Sequence, residues 1–181
     1  MEAREGGLHF AFGLARYNTD GTLEPTFGDG GKVIEIPEVA GSAHAVAIQP
    51  DGKIVAGGDL ALARYDAVGT LDPSFGGGDG VVAVGEVSSI AIQDDGKIVT
   101  GGADGLIRYE TDGTPDMAFG GGDGVAAEDY VRDIAIQSDG KIVALRGETF
   151  VTRYNTDGSL DTSFGDDGSV SRTPSPATTT G

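Results

Sequence analysis

Apolar and polar positions alternate with a period of two in short runs, and clusters of Gly, Asp and Asn separate the runs. Phe10, Phe12 and Leu14 alternate with smaller residues as far as Arg16 and Tyr17, the pattern of a half-buried strand. Asn18-Thr19-Asp20-Gly21 then reads as a turn, and 32–36 as the next strand. Over 44–49, Val46 and Ile48 share one face, Pro50-Asp51-Gly52 reads as an Asp-Gly hairpin turn, and 53–57 returns antiparallel. Strands are predicted at 60–65 and 81–84, then at 89–93, 97–101, 105–109 and 125–127, and finally at 132–137, 141–145, 149–154 and 169–171. The last is poor, since Ser-Val-Ser offers one apolar residue.

The runs belong to a repeat. A pattern opening on Arg-Tyr and closing on Phe-Gly occupies 16–28, 64–76, 108–120 and 153–165, its copies stepping by 48, 44 and 45 residues. Ile-Gln-x-Asp-Gly-Lys-Ile-Val lies between them at 48–55, 92–99 and 136–143. Four short antiparallel strands at this interval are what a beta-propeller blade needs, and Asp-Gly hairpins argue against a parallel solenoid. The expected fold class is therefore all-β, with about three and a half to four blades of about 44 residues. The reading places a half blade at 10–36 and full blades at 43–84, 87–127 and 131–171. Residues 1–9 are a leader or degenerate strand, 37–42 a surface insertion, and 172–181 a disordered Pro/Thr/Ser tail.

These letters resemble the delta-60 repeat, a beta-propeller repeat of bacterial surface and secreted proteins catalogued as a domain of unknown function. The signature Gln-Pro-Asp-Gly-Lys-Ile-Val at 49–55 and the run at 153–165 carry the likeness, which spans roughly residues 12–170. Glu24 and Val68 stand where the repeat has aspartate, and Thr114-Pro115-Asp116-Met117 replaces its Leu-Asp context. The resemblance implies a propeller with no catalytic residues to transfer, and an extracellular or cell-surface setting.

Four copies of the Arg-Tyr half against three of the Gln-Asp-Gly half raise the question of ring closure. Residues 4–9 serve as a ragged strand in a closed four-blade ring, or a second copy completes a ring of seven or eight, or the chain is part of a longer propeller.

Composition narrows the chemistry. Twelve basic against 29 acidic residues leave a formal charge of −17, a field that opposes nucleic acid and anionic membranes. Cysteine is absent, which removes disulfides and thiolate sites. No stretch approaches the roughly 20 apolar residues of a membrane-spanning helix, so membrane insertion is not expected.

The once-per-blade recurrence of Arg16-Tyr17, Arg64-Tyr65, Arg108-Tyr109 and Arg153-Tyr154 points to packing between blades, each guanidinium bridging a turn carboxylate such as Asp20, Asp112 or Asp157. Phe27, Phe75, Phe119 and Phe164 are predicted inter-blade plugs. Asn18, Asp20 and Glu24, with Asn155, Asp157 and Asp161, are spaced like part of a calcium loop, although Asx turns explain the same letters without an ion. No other cofactor is expected. His9 and His44 lack the spacing of a zinc site, and 76–80 precedes a strand rather than the helix of a phosphate loop.

A private function belongs where the repeats differ: Glu38, His44, Glu86, Glu128, Asp129, Tyr130, Arg132 and Arg146. The reading favoured is a non-enzymatic module that binds protein or glycan or acts as a scaffold, closing its ring with a second copy. One alternative is a glycan lyase or hydrolase using acidic residues at the ring mouth, a reading that a cluster of Glu128, Asp129, Tyr130 and His44 around one pocket would strengthen. The other is a propeller piece whose role is assembly alone.

Overall fold

The computed structural model describes residues 12–35 and 41–171. The expected leader, the tail, Glu38 and most of the insertion lie outside them. The strands are β1 (Phe12–Ala15), β2 (Lys32–Glu35), β3 (Ala43–Ile48), β4 (Ile54–Gly58), β5 (Ala61–Tyr65), β6 (Val81–Ala83) and β7 (Val87–Ile92). They continue as β8 (Ile98–Gly102), β9 (Gly105–Tyr109), β10 (Val125–Ala127), β11 (Val131–Ile136), β12 (Ile142–Arg146), β13 (Phe150–Tyr154) and β14 (Ser169–Ser171). β1 and β2 form a two-stranded sheet, and β3–β6, β7–β10 and β11–β14 form three four-stranded antiparallel meanders. The protein is all-β, with four propeller-like sheets. Even Ser-Val-Ser forms a strand, because β13 supplies a ladder edge for Ser169, Val170 and Ser171.

One turn closes each of the first hairpins. The Gly52 N–H donates to the Gln49 carbonyl at 2.9 Å, and the Lys53 N–H to Asp51 Oδ1 at 3.1 Å. Gly52 takes φ +87° while Asp51 does not go positive, so the turn is type I followed by a left-handed glycine rather than the type I′ an Asp-Gly pair suggests. Gly96 and Gly140 repeat it. At the far end of each first strand the register slips between Ala43 and Ala45, Val87 and Ser89, and Val131 and Asp133. His44, Ser88 and Arg132 are thus bulge residues, which re-aims their side chains.

Each sheet is apolar on both faces and is covered only by its neighbours. Ile54, Ala56, Ala63 and Tyr65 pack on Phe12, Phe27 and Val33 of the preceding sheet, while Val55, Leu62 and Phe75 pack on Ile98 and Tyr109 of the following one. A third cluster joins Val99, Leu106 and Phe119 to Ile134, Ile142 and Tyr154. Phe27, Phe75 and Phe119 are fully buried, as the repeat predicts, but Phe164 is only half-buried because none of the described residues forms a sheet beyond it. Tyr17 is likewise 62% exposed where Tyr65, Tyr109 and Tyr154 are at most 4%. β1 and β2 hold the places of a third and fourth strand, so Val46 and Ile48 of β3 remain exposed among the described residues.

In dilute protein Phe119→Ala is expected to destabilise the fold by about 3–5 kcal/mol, and Phe164→Ala by less than half of that, because within one chain only Phe119 is enclosed by two sheets. Urea midpoints at constant slope check this ordering.

Candidate functional site

The two ends of the strands differ in kind. At one end lie the first hairpin turns and the Arg-Tyr cassettes, nearly identical from sheet to sheet. Asp72 is their hub: it accepts from Arg64 Nε and pairs with Lys53 Nζ, both at 2.9 Å, and its other oxygen accepts from the Ser74 N–H and hydroxyl. Asp116 holds Arg108 and Lys97 at 2.7 Å each, and Asp161 holds Arg153 at 2.7 Å and Lys141 at 2.8 Å. The lysine of the Gln-x-Asp-Gly-Lys motif thereby ties the two halves of the repeat. Each guanidinium also stacks on its own phenylalanine, with the carbon 4.3–4.8 Å from the ring centre.

The expected bridge from arginine to Asp20, Asp112 or Asp157 is not what forms. Those carboxylates accept from the N–H and hydroxyl of Thr22, Thr114 and Ser159 within their own turns. The arginines instead donate Nη1 to turn carbonyls of the next sheet, Arg16 to Ala67, Arg64 to Thr111 and Arg108 to Thr156. The glycine of Phe-Gly adds a second bond: Gly28, Gly76 and Gly120 N–H donate to the carbonyls of Val68, Asp112 and Asp157 at 2.8–3.0 Å. A backbone acceptor explains why Val68 can replace aspartate, with Asp66 taking over the turn by accepting from the Val68 and Thr70 N–H groups. Glu24, one methylene longer than Asp72, makes no ion pair with Arg16 among the described residues and accepts from the Thr26 hydroxyl instead.

The spacing read as part of a calcium loop resolves into the same turns. Asn18 and Asn155 donate their amides to the Thr22 and Ser159 hydroxyls, and Asp161 is shared by two cations. Among the described residues no group of three or more His, Asp or Glu side chains gathers to hold a metal.

At the opposite end lie the residues that differ between repeats. His44 Nε2 lies 2.6 Å from Asp59, whose other oxygen accepts from the Ser42 N–H. The Tyr130 hydroxyl donates to Glu86 across two sheets at 3.2 Å, and Arg146 pairs with Asp129. Asp129, Tyr130, Arg146, Phe150, Thr152 and Ser169 line an open cavity of about 570 Å³. Tyr130 and Phe150 present half-exposed rings. Arg132 is exposed, and neither it, His44 nor Glu128 lines this cavity. Of the four residues whose clustering would strengthen a glycan-cleaving reading, this cavity brings together Asp129 and Tyr130. Phe150 escaped the sequence reading because it continues the alternation of β13; its place is taken by Ala61 and Gly105 in the other sheets, and that size difference is the signal that would have found it.

The model of the family described as "Domain of unknown function (DUF5122) beta-propeller" matches residues 10–27, 49–75, 93–119 and 137–164, more than half of the chain. The chain belongs to that family. No curated protein matches it. Among solved structures, this DUF5122 propeller is similar to the computationally designed Ika4 protein, with TM-score 0.52 and 17% identity over 70% of this chain and 72% of that one. It is similar to a protein provisionally described as a gluconolactonase, with TM-score 0.51 and 18% identity over 77% of this chain and 44% of that one. A protein of unknown function from Bacteroides caccae gives TM-score 0.50 and 10% identity over 79% and 50%. The chain spans about half the length of the last two, and at such identities the likeness concerns the fold alone.

The DUF5122 carboxylate hubs carry an acid dependence. Burial pushes Asp116 up, but hydrogen bonds from Lys97, the Ala118 N–H and Arg108 outweigh it and hold Asp116 at about 2, below the ordinary 3.8. Asp72 is lowered against the same desolvation by Lys53, Ser74 and Arg64. A depressed folded value means stability present above about pH 4 and lost as pH falls toward about 2. Asp116→Asn is expected to cost about 3–5 kcal/mol at pH 7, since it takes the carboxylate from buried Arg108 and leaves Lys97 with Glu110 alone, and to flatten the acid limb of the stability profile. Urea titrations from pH 7 to 2 check both.

Proposed function

We propose that the protein is a non-enzymatic propeller module that binds a protein or glycan at the end bearing the repeat-to-repeat differences, in a cell-surface or secreted setting. The carrying observation is the division of labour. One end is a cassette engaged in holding sheets together, its few departures such as Glu24 and Val68 absorbed within the turns, while His44, Glu86, Glu128, Asp129, Tyr130, Arg132 and Arg146 lie at the other end, some of them around the cavity with Phe150. Two exposed rings beside the Asp129–Arg146 pair suit a sugar face or an aromatic-rich peptide, and the net charge of −17 favours neutral or basic ligands. The delta-60 likeness of 49–55 and 153–165 supports the extracellular assignment. Completion of the ring by a second copy belongs to the same reading.

Titration against a panel of soluble neutral oligosaccharides and basic peptides tests the cavity. A Tyr130→Ala/Phe150→Ala variant with unchanged circular dichroism is expected to bind the best panel member at least about 10-fold more weakly, the loss of roughly 1.4 kcal/mol of contact. Equal affinity in the variant, or cleavage of an oligosaccharide by the wild type, contradicts the proposal.

A further inference from the structure

Among the described residues the chain carries the two halves of one interface unpaired at its opposite faces. Within the molecule each junction joins a trailing half, the stacked Arg and Phe with the following glycine N–H, to a leading half, the next sheet's turn carbonyls. Three junctions are made this way. Among the described residues, Arg153 Nη1 and the Gly165 N–H find no such carbonyls, and the Thr19 and Asp20 carbonyls receive no such donors. Half-buried Phe164 and exposed Tyr17 are the apolar counterparts.

The turn glycines show that the open slot has the right shape. A Cβ on Gly113 would lie 2.7 Å from Phe75, and one on Gly158 would lie 2.8 Å from Phe119, because each glycine seats the preceding phenylalanine. Gly21 holds the same left-handed conformation, with φ +84°, and a Cβ there meets nothing within 4 Å. Among the described residues the seat is built and unfilled.

A third observation selects the occupant. Gly57 and Gly101 admit the first strand of the following sheet: a Cβ on them would meet Val87 at 2.5 Å and Val131 at 2.7 Å. The corresponding position in β12 is Leu145. Such a side chain opposes a complete four-stranded sheet but not the β1–β2 sheet, which has no first strand among the described residues. The trailing face therefore matches this chain's own leading face better than it matches another full blade.

We propose that two copies associate head to tail, the Arg153–Phe164–Gly165 face of each seating on the Tyr17–Gly21 face of the other, so that two identical junctions close one ring. The contact is heterologous in kind and closes after two copies. It deepens the assembly part of the proposed function and does not depend on the ligand.

Sedimentation equilibrium tests it. The wild type is expected at twice the 18.3 kDa chain mass. Gly21→Asn, a residue that tolerates left-handed backbone and points into open space, is expected to fold with unchanged circular dichroism and sediment as one chain. The same change at Gly113 is expected to lower thermal stability instead. Phe164→Asp spoils the other face and is likewise expected to yield single chains, which keeps the test decisive should either variant misfold. Mixing the two variants restores one sound junction, so pairs are expected to reappear; a symmetric face-to-face contact predicts no rescue. A wild type that stays at one chain mass up to millimolar concentration, a Gly21→Asn protein that pairs like the wild type, or a mixture without rescue each overturns the proposal. Oligosaccharide-panel binding by Gly21→Asn separates the outcomes, since the cavity lies at the other end of the sheets.

Discussion

A propeller sheet is apolar on both faces and cannot be stable until a neighbour covers each of them. Every regularity in this chain follows from that constraint. Alternate residues of one strand serve different junctions, as Ile54 and Val55 do, so each strand ties two clusters together. The hydrophobic contact is non-directional, and the arginine and glycine donors supply what it lacks. A guanidinium clamped by an aspartate, stacked on a phenylalanine and bonded to a carbonyl of the next sheet fixes how far and at what angle the sheets sit. Removing the aspartate would leave a buried cation without its carboxylate, which is why the hub aspartates are the acid-sensitive points of the fold.

The architecture was legible in the sequence because both its periods, two within strands and about 44 between blades, are written in residue type. The strands to within one or two residues, the antiparallel order and the burial of Phe27, Phe75 and Phe119 follow from that pattern. The partners of the arginines did not, for a physical reason. Asp20, Asp112 and Asp157 are the nearest carboxylates along the chain, but each is consumed by its own Asx turn, and the true acceptors are backbone carbonyls that leave no trace in residue type. The bulges at His44, Ser88 and Arg132 were equally invisible, since an extra residue in one strand shows only against its partner's register. At the other end, Asp129, Tyr130 and Arg146 were marked by differing from their repeats and do meet at a cavity, whereas His44 pairs with Asp59 elsewhere.

The segregation of sameness and difference between the two ends bears on function. The cassette end is spent on cohesion, and any change there is felt at a junction. The opposite end uses hairpins and inter-sheet loops whose side chains are exposed and free to vary, the usual place for recognition on a rigid frame. Membership of the DUF5122 beta-propeller family accounts for the fold.

Native-state hydrogen exchange of the cassette glycines tests the central claim, that the Arg–Phe–Gly unit is a clasp between sheets. In dilute protein the Gly28, Gly76 and Gly120 amides, each donating to the next sheet, are expected to exchange orders of magnitude more slowly than Gly165, and Gly165 is expected to gain protection as the protein is concentrated. Equal exchange at all four glycines, at every concentration, would contradict the account.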